Sequence, residues 1–144
     1  MKYKQKVIPS VNTPVEWKGK KISQLRALAL EKTRSLYSDA EVTNEHLNIC
    51  IHIKTNGLRK SSYGEAMYYK KAVTLLILPE ILQYARYNNF GSRKDNDPTQ
   101  VVGYLNFVCK CKIDGLLENL RIAVQFRTDG KFYYNVEVNK VKKK

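Results

Sequence analysis

Carboxylates are scarce in this sequence of 144 residues, in which 13 aspartates and glutamates stand against 26 lysines and arginines. No two of them form a convincing acid pair, which argues against glycosidase chemistry and against a nuclease that holds two metal ions. The formal net charge of +13 instead predicts a polyanionic partner, either a nucleic acid or an acidic protein. The alternative interpretation is that the basic excess serves only solubility.

The sequence has only three cysteines, and Cys50, Cys109 and Cys111 form no C-x-x-C pair. Their odd number argues against a disulfide framework, and reduced thiols of a cytosolic protein are the simplest account. Cys109 and Cys111 lie two apart in a strand-like segment, so they share a face and cannot easily bridge each other. Because only His46 and His52 could add ligands, we expect no metal site, and we expect no cofactor.

Long apolar runs and cofactor motifs are also absent. The longest apolar run, AVTLLIL at 72–78, is far shorter than the ~18 residues that a membrane span requires. The basic N-terminal residues lack the apolar core of a secretory signal. No P-loop, H-E-x-x-H helix or dinucleotide fingerprint is present. We therefore expect no membrane partner and a cytoplasmic protein, acting in the producing cell or in a target cell.

The hydrophobic pattern predicts an extended N-terminal arm at 1–20, one α+β domain at 21–139 and a basic tail at 140–144. Trp17 is expected to anchor the arm on the core. Apolar residues at helical spacing predict an amphipathic helix over 22–36.

Further helices are predicted over 65–77 and over PEILQYAR at 79–86, where Pro79 suits the first helical position. Strict alternation over 48–54 predicts a strand that Asn56-Gly57 ends. The segment 88–100 is rich in turn formers and is predicted to be a polar loop.

Beyond that loop the hydrophobic period changes to two and predicts a three-stranded antiparallel meander with turns at Asp114-Gly115 and Asp129-Gly130. A three-residue loop with Gly130 in the left-handed region would pair Phe126 with Phe132 and Gln125 with Tyr133. This register keeps polar and apolar faces apart. The predicted fold is α+β, with N-terminal helices packed on one face of a mainly antiparallel sheet that ends in the meander.

The opposite sheet face is predicted to be cationic and aromatic, and it carries Lys54, His52, Tyr104, Asn106, Lys110, Gln125, Arg127, Lys131 and Tyr133. Lysine and arginine can bind a phosphate backbone while tyrosines stack on bases. Such groups also suit metal-independent RNA cleavage, in which the ribose 2′-OH attacks its own phosphate, a base and an acid move protons, and cations stabilise the phosphorane.

Three segments carry a family resemblance: NICIHIKTNGLRKSS at 48–62, LPEILQYA at 78–85 and the meander FVCKCKIDGLLENLRIAVQFRTDGKFYYNVEV at 107–138. In order and spacing they resemble the phage and polymorphic-toxin branch of the barnase, EndoU, colicin and RelE-like nuclease superfamily. The resemblance implies a ribonuclease-like fold with its site on the open sheet face. Relatives often carry a histidine just after the Gly-Leu-Arg turn, where this sequence has Lys60. That departure leaves open a version of the fold that binds RNA without cleaving it.

The leading hypothesis is a metal-independent ribonuclease of toxin or phage-effector type. Its candidate catalytic residues are Lys60, Arg59, His52, Arg127 and Tyr133. The candidate nucleic-acid-binding residues are Lys54, Thr55, Ser61, Tyr104, Lys110, Gln125 and Lys131. The expected partners are RNA, with tRNA among the candidates, and an acidic immunity or antitoxin protein. The alternatives are a non-catalytic nucleic-acid-binding module on the same fold and an interaction protein for an acidic partner.

Overall fold

The computed structural model describes residues 3–37, 40–57, 73–93, 95 and 97–137. Within these residues the chain is an α+β structure with two α-helices and a mixed sheet of seven strands. The helices are α1 (Ile22–Tyr37) and α2 (Leu78–Tyr84). The strands are β1 (Ser10–Val11), β2 (Glu41–Asn44), β3 (Ile49–Gly57), β4 (Arg86–Ser92), β5 (Val101–Ile113), β6 (Leu116–Arg127) and β7 (Phe132–Glu137). Neither of these described helices is long and apolar enough to cross a membrane.

The sheet is mainly antiparallel, as predicted. Strands β2, β3, β7, β6 and β5 lie side by side, and β1 and β4 share the remaining edge of β5. The β1–β5 and β3–β7 pairs are parallel, and the other described pairs are antiparallel. Strand β7 therefore joins the meander to β3, which brings two distant parts of the sequence together.

The predicted meander and its hairpin register are confirmed. Strands β5, β6 and β7 follow one another, and Phe126 pairs with Phe132 while Gln125 pairs with Tyr133. Gly130 has a φ of +81°, which only glycine adopts without steric cost, so the turn fixes the register. Because side chains alternate along a strand, this register also fixes which of them share a face.

One face of the sheet forms the core. Ile51 and Ile53 of β3, Phe107 of β5 and Val124 of β6 are buried together with Leu25 of α1. Helix α1 packs against β3, and α2 packs against β2 and β5. The predicted assignment of faces is confirmed for these strands, and the predicted helices over 22–36 and 79–86 correspond to α1 and α2. Trp17 is buried in the same core, as predicted.

The polar loop predicted over 88–100 is wrong in its first part, because β4 pairs with β5 there. Poor strand formers hide β4 in the sequence, and a register shift between Tyr87 and Asn89 interrupts its alternation. Its partner position Gly103 has room for no side chain, since a Cβ there would lie 2.6 Å from the carbonyl oxygen of Gly91. The strand forms because β5 offers an edge and a glycine that allows close approach.

The predicted placement of N-terminal helices on the sheet is also wrong. Helix α2 lies in the middle of the chain, between β3 and β4, and the unpredicted strands β1 and β2 flank α1. The helix predicted over 65–77 falls mostly outside the described residues; within them, residues 73–74 are helical and Leu75–Ile77 forms a 3-10 turn. The fold is thus an α+β arrangement in which helices and sheet strands interleave along the chain.

Strand β1 is held to the β5–β6 turn by Asp114. Its two carboxylate oxygens accept hydrogen bonds from the Thr13 amide at 2.7 Å and the Thr13 hydroxyl at 2.6 Å. These bonds lower the pKa of Asp114, the hydroxyl bond contributing most. A lowered folded-state pKa adds stability above the ordinary aspartate pKa of about 4, and this stability is lost as pH falls through the folded value.

We expect Asp114→Asn to reduce the loss of thermal stability between about pH 5 and about pH 3, because the amide keeps a bond to Thr13 but cannot titrate. Asparagine also tolerates the φ of +52° at this position. Melting temperatures at both pH values measure the effect. The control is Asp95→Asn in the exposed loop after β4, which should leave the acid sensitivity unchanged. An equal acid-induced fall in the wild type and in Asp114→Asn would refute this role of Asp114.

Candidate functional site

Tyr133 lies at the centre of the polar sheet face. In β7 it pairs with His52 of β3 on one side and with Gln125 of β6 on the other. The same alternation that buries Ile51, Ile53 and Tyr134 turns these three side chains to the opposite face. Parallel pairing between β3 and β7 therefore assembles candidates that lie far apart in the sequence.

Cationic and aromatic groups surround the Tyr133 ring. The guanidinium carbon of Arg127 lies 4.1 Å from the ring centroid, and Lys54 Nζ lies 5.7 Å from it. The His52 ring is tilted by 33° with its centroid 5.3 Å from that of Tyr133. Contacts of a cation with an aromatic face are worth about 0.5–1 kcal/mol when exposed. Tyr133 thus holds His52 and Arg127 against a common ring.

A hydrogen bond orients Arg127 further. Its Nε donates to Gln125 Oε1 at 3.0 Å, which fixes one edge of the guanidinium. Gln125 in turn lies opposite Tyr104 of β5, so the predicted binding residues Gln125 and Tyr104 border the same cluster. A planar guanidinium held in this way is suited to a phosphate group.

Asp129 fixes the hydroxyl of Tyr133. The Tyr133 hydroxyl donates to Asp129 Oδ2 at 2.6 Å, and the Lys131 amide donates to Asp129 Oδ1 at 2.8 Å. The bond to the carboxylate raises the pKa of Tyr133, and burial adds to the rise, whereas the same bond lowers the pKa of Asp129. The phenol therefore stays protonated at neutral pH, and its hydrogen bond and ring contacts hold it in place beside His52 and Arg127.

Glu41 of β2 completes the cluster, and it was not among the candidates predicted from the sequence. Its Oε1 lies 3.2 Å from His52 Nδ1, and the two residues pair directly across β2 and β3. A carboxylate at Nδ1 favours the tautomer that carries its proton there, which leaves Nε2 as a proton acceptor. The Val-Thr pair after Glu41 has strand character and was the only sequence signal for β2.

The remaining predicted residues do not all join this cluster. Lys110 lies six residues from Tyr104 along β5, roughly 20 Å away at the rise of a strand. Its backbone is instead bonded to the side chain of Gln5 at the sheet edge. Thr55 belongs to β3, but its side chain lies outside the described part of the structure, as do Arg59, Lys60 and Ser61 entirely.

The charge of the cluster differs from the prediction. Lys54, Arg127 and Lys131 supply positive charge, but Glu41 and Asp129 offset much of it. A surface that only holds phosphates gains nothing from carboxylates at its centre. A histidine paired with a glutamate beside an ordered guanidinium is instead the arrangement of a general base next to a cation that can stabilise an anion.

Comparison with known proteins identifies a family. The family described as large polyvalent protein-associated domain 3 matches residues 20–134, which include both helices, strands β2 to β6, the first half of β7 and every described member of the cluster. No curated protein and no solved structure matches the chain. Because the match spans most of the sequence, the chain belongs to the large polyvalent protein-associated domain 3 family.

Proposed function

We propose that this chain is a metal-independent ribonuclease of toxin or phage-effector type that cleaves RNA through attack of the ribose 2′-OH. The observation that carries the proposal is the Glu41–His52 pair, set against the Tyr133 ring that also holds Arg127. A base and a fixed cation on one open surface are the groups that this reaction needs, since the substrate supplies its own nucleophile.

In this mechanism His52 Nε2 takes the proton of the 2′-OH while Glu41 stabilises the resulting imidazolium at Nδ1. The 2′ oxygen forms a bond to phosphorus, and the bond from phosphorus to the 5′ oxygen breaks. Arg127 stabilises the crowded phosphorane between these events. In this proposal Lys60 supplies the proton that the leaving 5′ oxygen takes up, and Arg59 binds the phosphate. The sequence itself marks both only as catalytic candidates, with Lys60 as a phosphate clamp or a base.

The antiparallel meander and its open polar face are in keeping with the barnase, EndoU, colicin and RelE-like superfamily. The family description, which associates the domain with large polyvalent proteins, is in keeping with an effector of phage or toxin type. Such an effector acts on cytosolic RNA, with tRNA among its targets, and is held in check by an acidic immunity or antitoxin protein.

A second candidate function is a non-catalytic nucleic-acid-binding module. It is favoured by Lys54 and Lys131 near the exposed sheet face, by Tyr104 beside Gln125, and by Lys60 at the position where relatives often have a histidine. Stacking of bases on tyrosines and salt-sensitive phosphate contacts would then account for the tyrosines and the cations of this surface.

Purified protein incubated with total RNA or with tRNA in EDTA is expected to give fragments that end in 2′,3′-cyclic phosphate. Glu41→Gln should slow the cleavage about tenfold with little change in RNA affinity, because positioning groups behind a catalytic side chain are worth roughly 10- to 100-fold. Rates and end groups from labelled RNA measure both effects. The matched control is Glu16→Gln, which removes an exposed glutamate from the 3-10 turn at Val15–Trp17, far from the cluster in the sequence.

Intact RNA with a salt-sensitive gel shift would refute cleavage and support the binding module. Cleavage that stops in EDTA would contradict a metal-independent reaction. If the RNA is neither cleaved nor shifted in the gel, the basic surface is instead interpreted as a binding site for an acidic protein.

A further inference from the structure

Glu41, Cys50 and His52 lie together at the β2–β3 edge of the sheet. Cys50 and His52 are two residues apart in β3 and so share a face, while Glu41 pairs directly with His52 from β2. One ligand atom from each residue lies within 4.8 Å of the other two. Thiolate, imidazole and carboxylate are the three kinds of protein ligand that zinc takes.

The distances fit a tetrahedral ion. Zinc bonds of about 2.0 Å to nitrogen and oxygen and about 2.3 Å to sulfur separate neighbouring ligand atoms by roughly 3.3–3.6 Å. The 3.2 Å between Glu41 Oε1 and His52 Nδ1 is already close to that span. Cys50 is exposed, so its side chain is free of the packing that would prevent Sγ from closing the remaining gap.

We propose that Glu41 Oε1, Cys50 Sγ and His52 Nδ1 form a three-ligand site for a zinc-class divalent cation. The metal replaces the proton between His52 and Glu41, and the fourth tetrahedral position remains open to water or to an added ligand. The thiolate of Cys50 and the imidazole of His52 favour zinc or cobalt over magnesium and calcium, because the latter two ions prefer a shell of oxygen ligands.

Cysteines and histidines alone are too few for zinc, which is why the sequence predicted no metal site. Strand pairing supplies the missing carboxylate, which lies eleven positions before His52 in the chain. The inference goes beyond the proposed function and does not depend on it, because metal binding by the purified chain is measured without RNA. It is also compatible with cleavage in EDTA, which keeps His52 free of metal.

Titration of the EDTA-treated, buffer-exchanged full chain with cobalt(II) tests the site. We expect one equivalent to bind, with a thiolate-to-cobalt charge-transfer band in the near ultraviolet and visible bands of tetrahedral intensity. Zinc added afterwards should displace the cobalt and abolish both. Cys109 and Cys111 are fully buried in the core, so neither competes for a metal added from solution.

Cys50→Ser should abolish the charge-transfer band, and His52→Gln and Glu41→Gln should each weaken binding by at least tenfold. Glu16→Gln is the matched control and should bind cobalt like the wild type. Zinc should also protect the wild-type chain from alkylation at Cys50, which gives a readout that does not depend on cobalt. The proposal would be overturned if the charge-transfer band persisted in Cys50→Ser. It would also be overturned if the wild-type chain bound cobalt without this band, or bound no metal at millimolar concentration.

Discussion

Arg127→Ala is expected to lower the rate of RNA cleavage at saturating substrate by about 100- to 1,000-fold. This is the usual loss when one preorganised group that stabilises a developing anion is removed. The guanidinium is preorganised here, because it lies over the Tyr133 ring and donates to Gln125 Oε1. Single-turnover cleavage of a labelled RNA in EDTA measures the rate apart from binding.

The matched control is Arg121→Ala, since Arg121 lies on the same face of β6 but six residues nearer its start, roughly 20 Å away. Both variants lose one positive charge, so both should weaken RNA binding slightly and reduce its salt dependence. Only Arg127→Ala should also slow the chemical step of cleavage. Arg127→Lys should keep the charge without the planar fork and recover only part of the rate. Equal rates in Arg127→Ala and Arg121→Ala would show that the surface acts through bulk charge alone.

Much of this site could be predicted because local patterns determine it. Alternation in β3, β6 and β7 fixes which side chains face outward, and Gly130 fixes the register that sets Tyr133 against Gln125. These are short-range signals, since each depends on residues within one strand or one turn. Such signals are enough to assign His52, Arg127 and Tyr133 to one face of the predicted sheet.

The rest could not be predicted because it depends on long-range pairing. Nothing local to β2 shows that Glu41 will lie opposite His52, and parallel pairing of β3 with β7 has no turn to reveal it. The weak strand β4 exists only because Gly103 of β5 admits it closely. Of the two carboxylates in the site, Asp129 lies in a turn that the sequence predicted, whereas Glu41 enters through the long-range pairing of β2 with β3 that the sequence hides.

Asn44→Ala is expected to lower the free energy of unfolding by about 3 kcal/mol or more, a large part of the ~5–15 kcal/mol typical of a domain. Asn44 is fully buried, and its amide donates to the carbonyl oxygens of Leu82 at 2.8 Å and Ala85 at 3.0 Å. Its Oδ1 accepts from the Leu47 amide at 2.9 Å. Alanine would leave these three backbone groups without their partner. Urea unfolding measures the change.

Asn119→Ala is the control, because Asn119 is an exposed asparagine in a strand and its loss should change stability little. Asn44→Asp should also be destabilising, since its carboxylate keeps the bond from Leu47 but cannot donate and carries a buried charge. A stability close to that of the wild type in either Asn44 variant would contradict this role.

Asn44 ends β2 and ties it to the last turn of α2, so the same bonds hold Glu41 opposite His52. We therefore expect the Asn44→Ala protein, studied at a low temperature at which it is still folded, to bind cobalt more weakly and also to cleave RNA more slowly. Asn44 is not a proposed contact of either the metal or the RNA, so both losses would come from the displacement of Glu41.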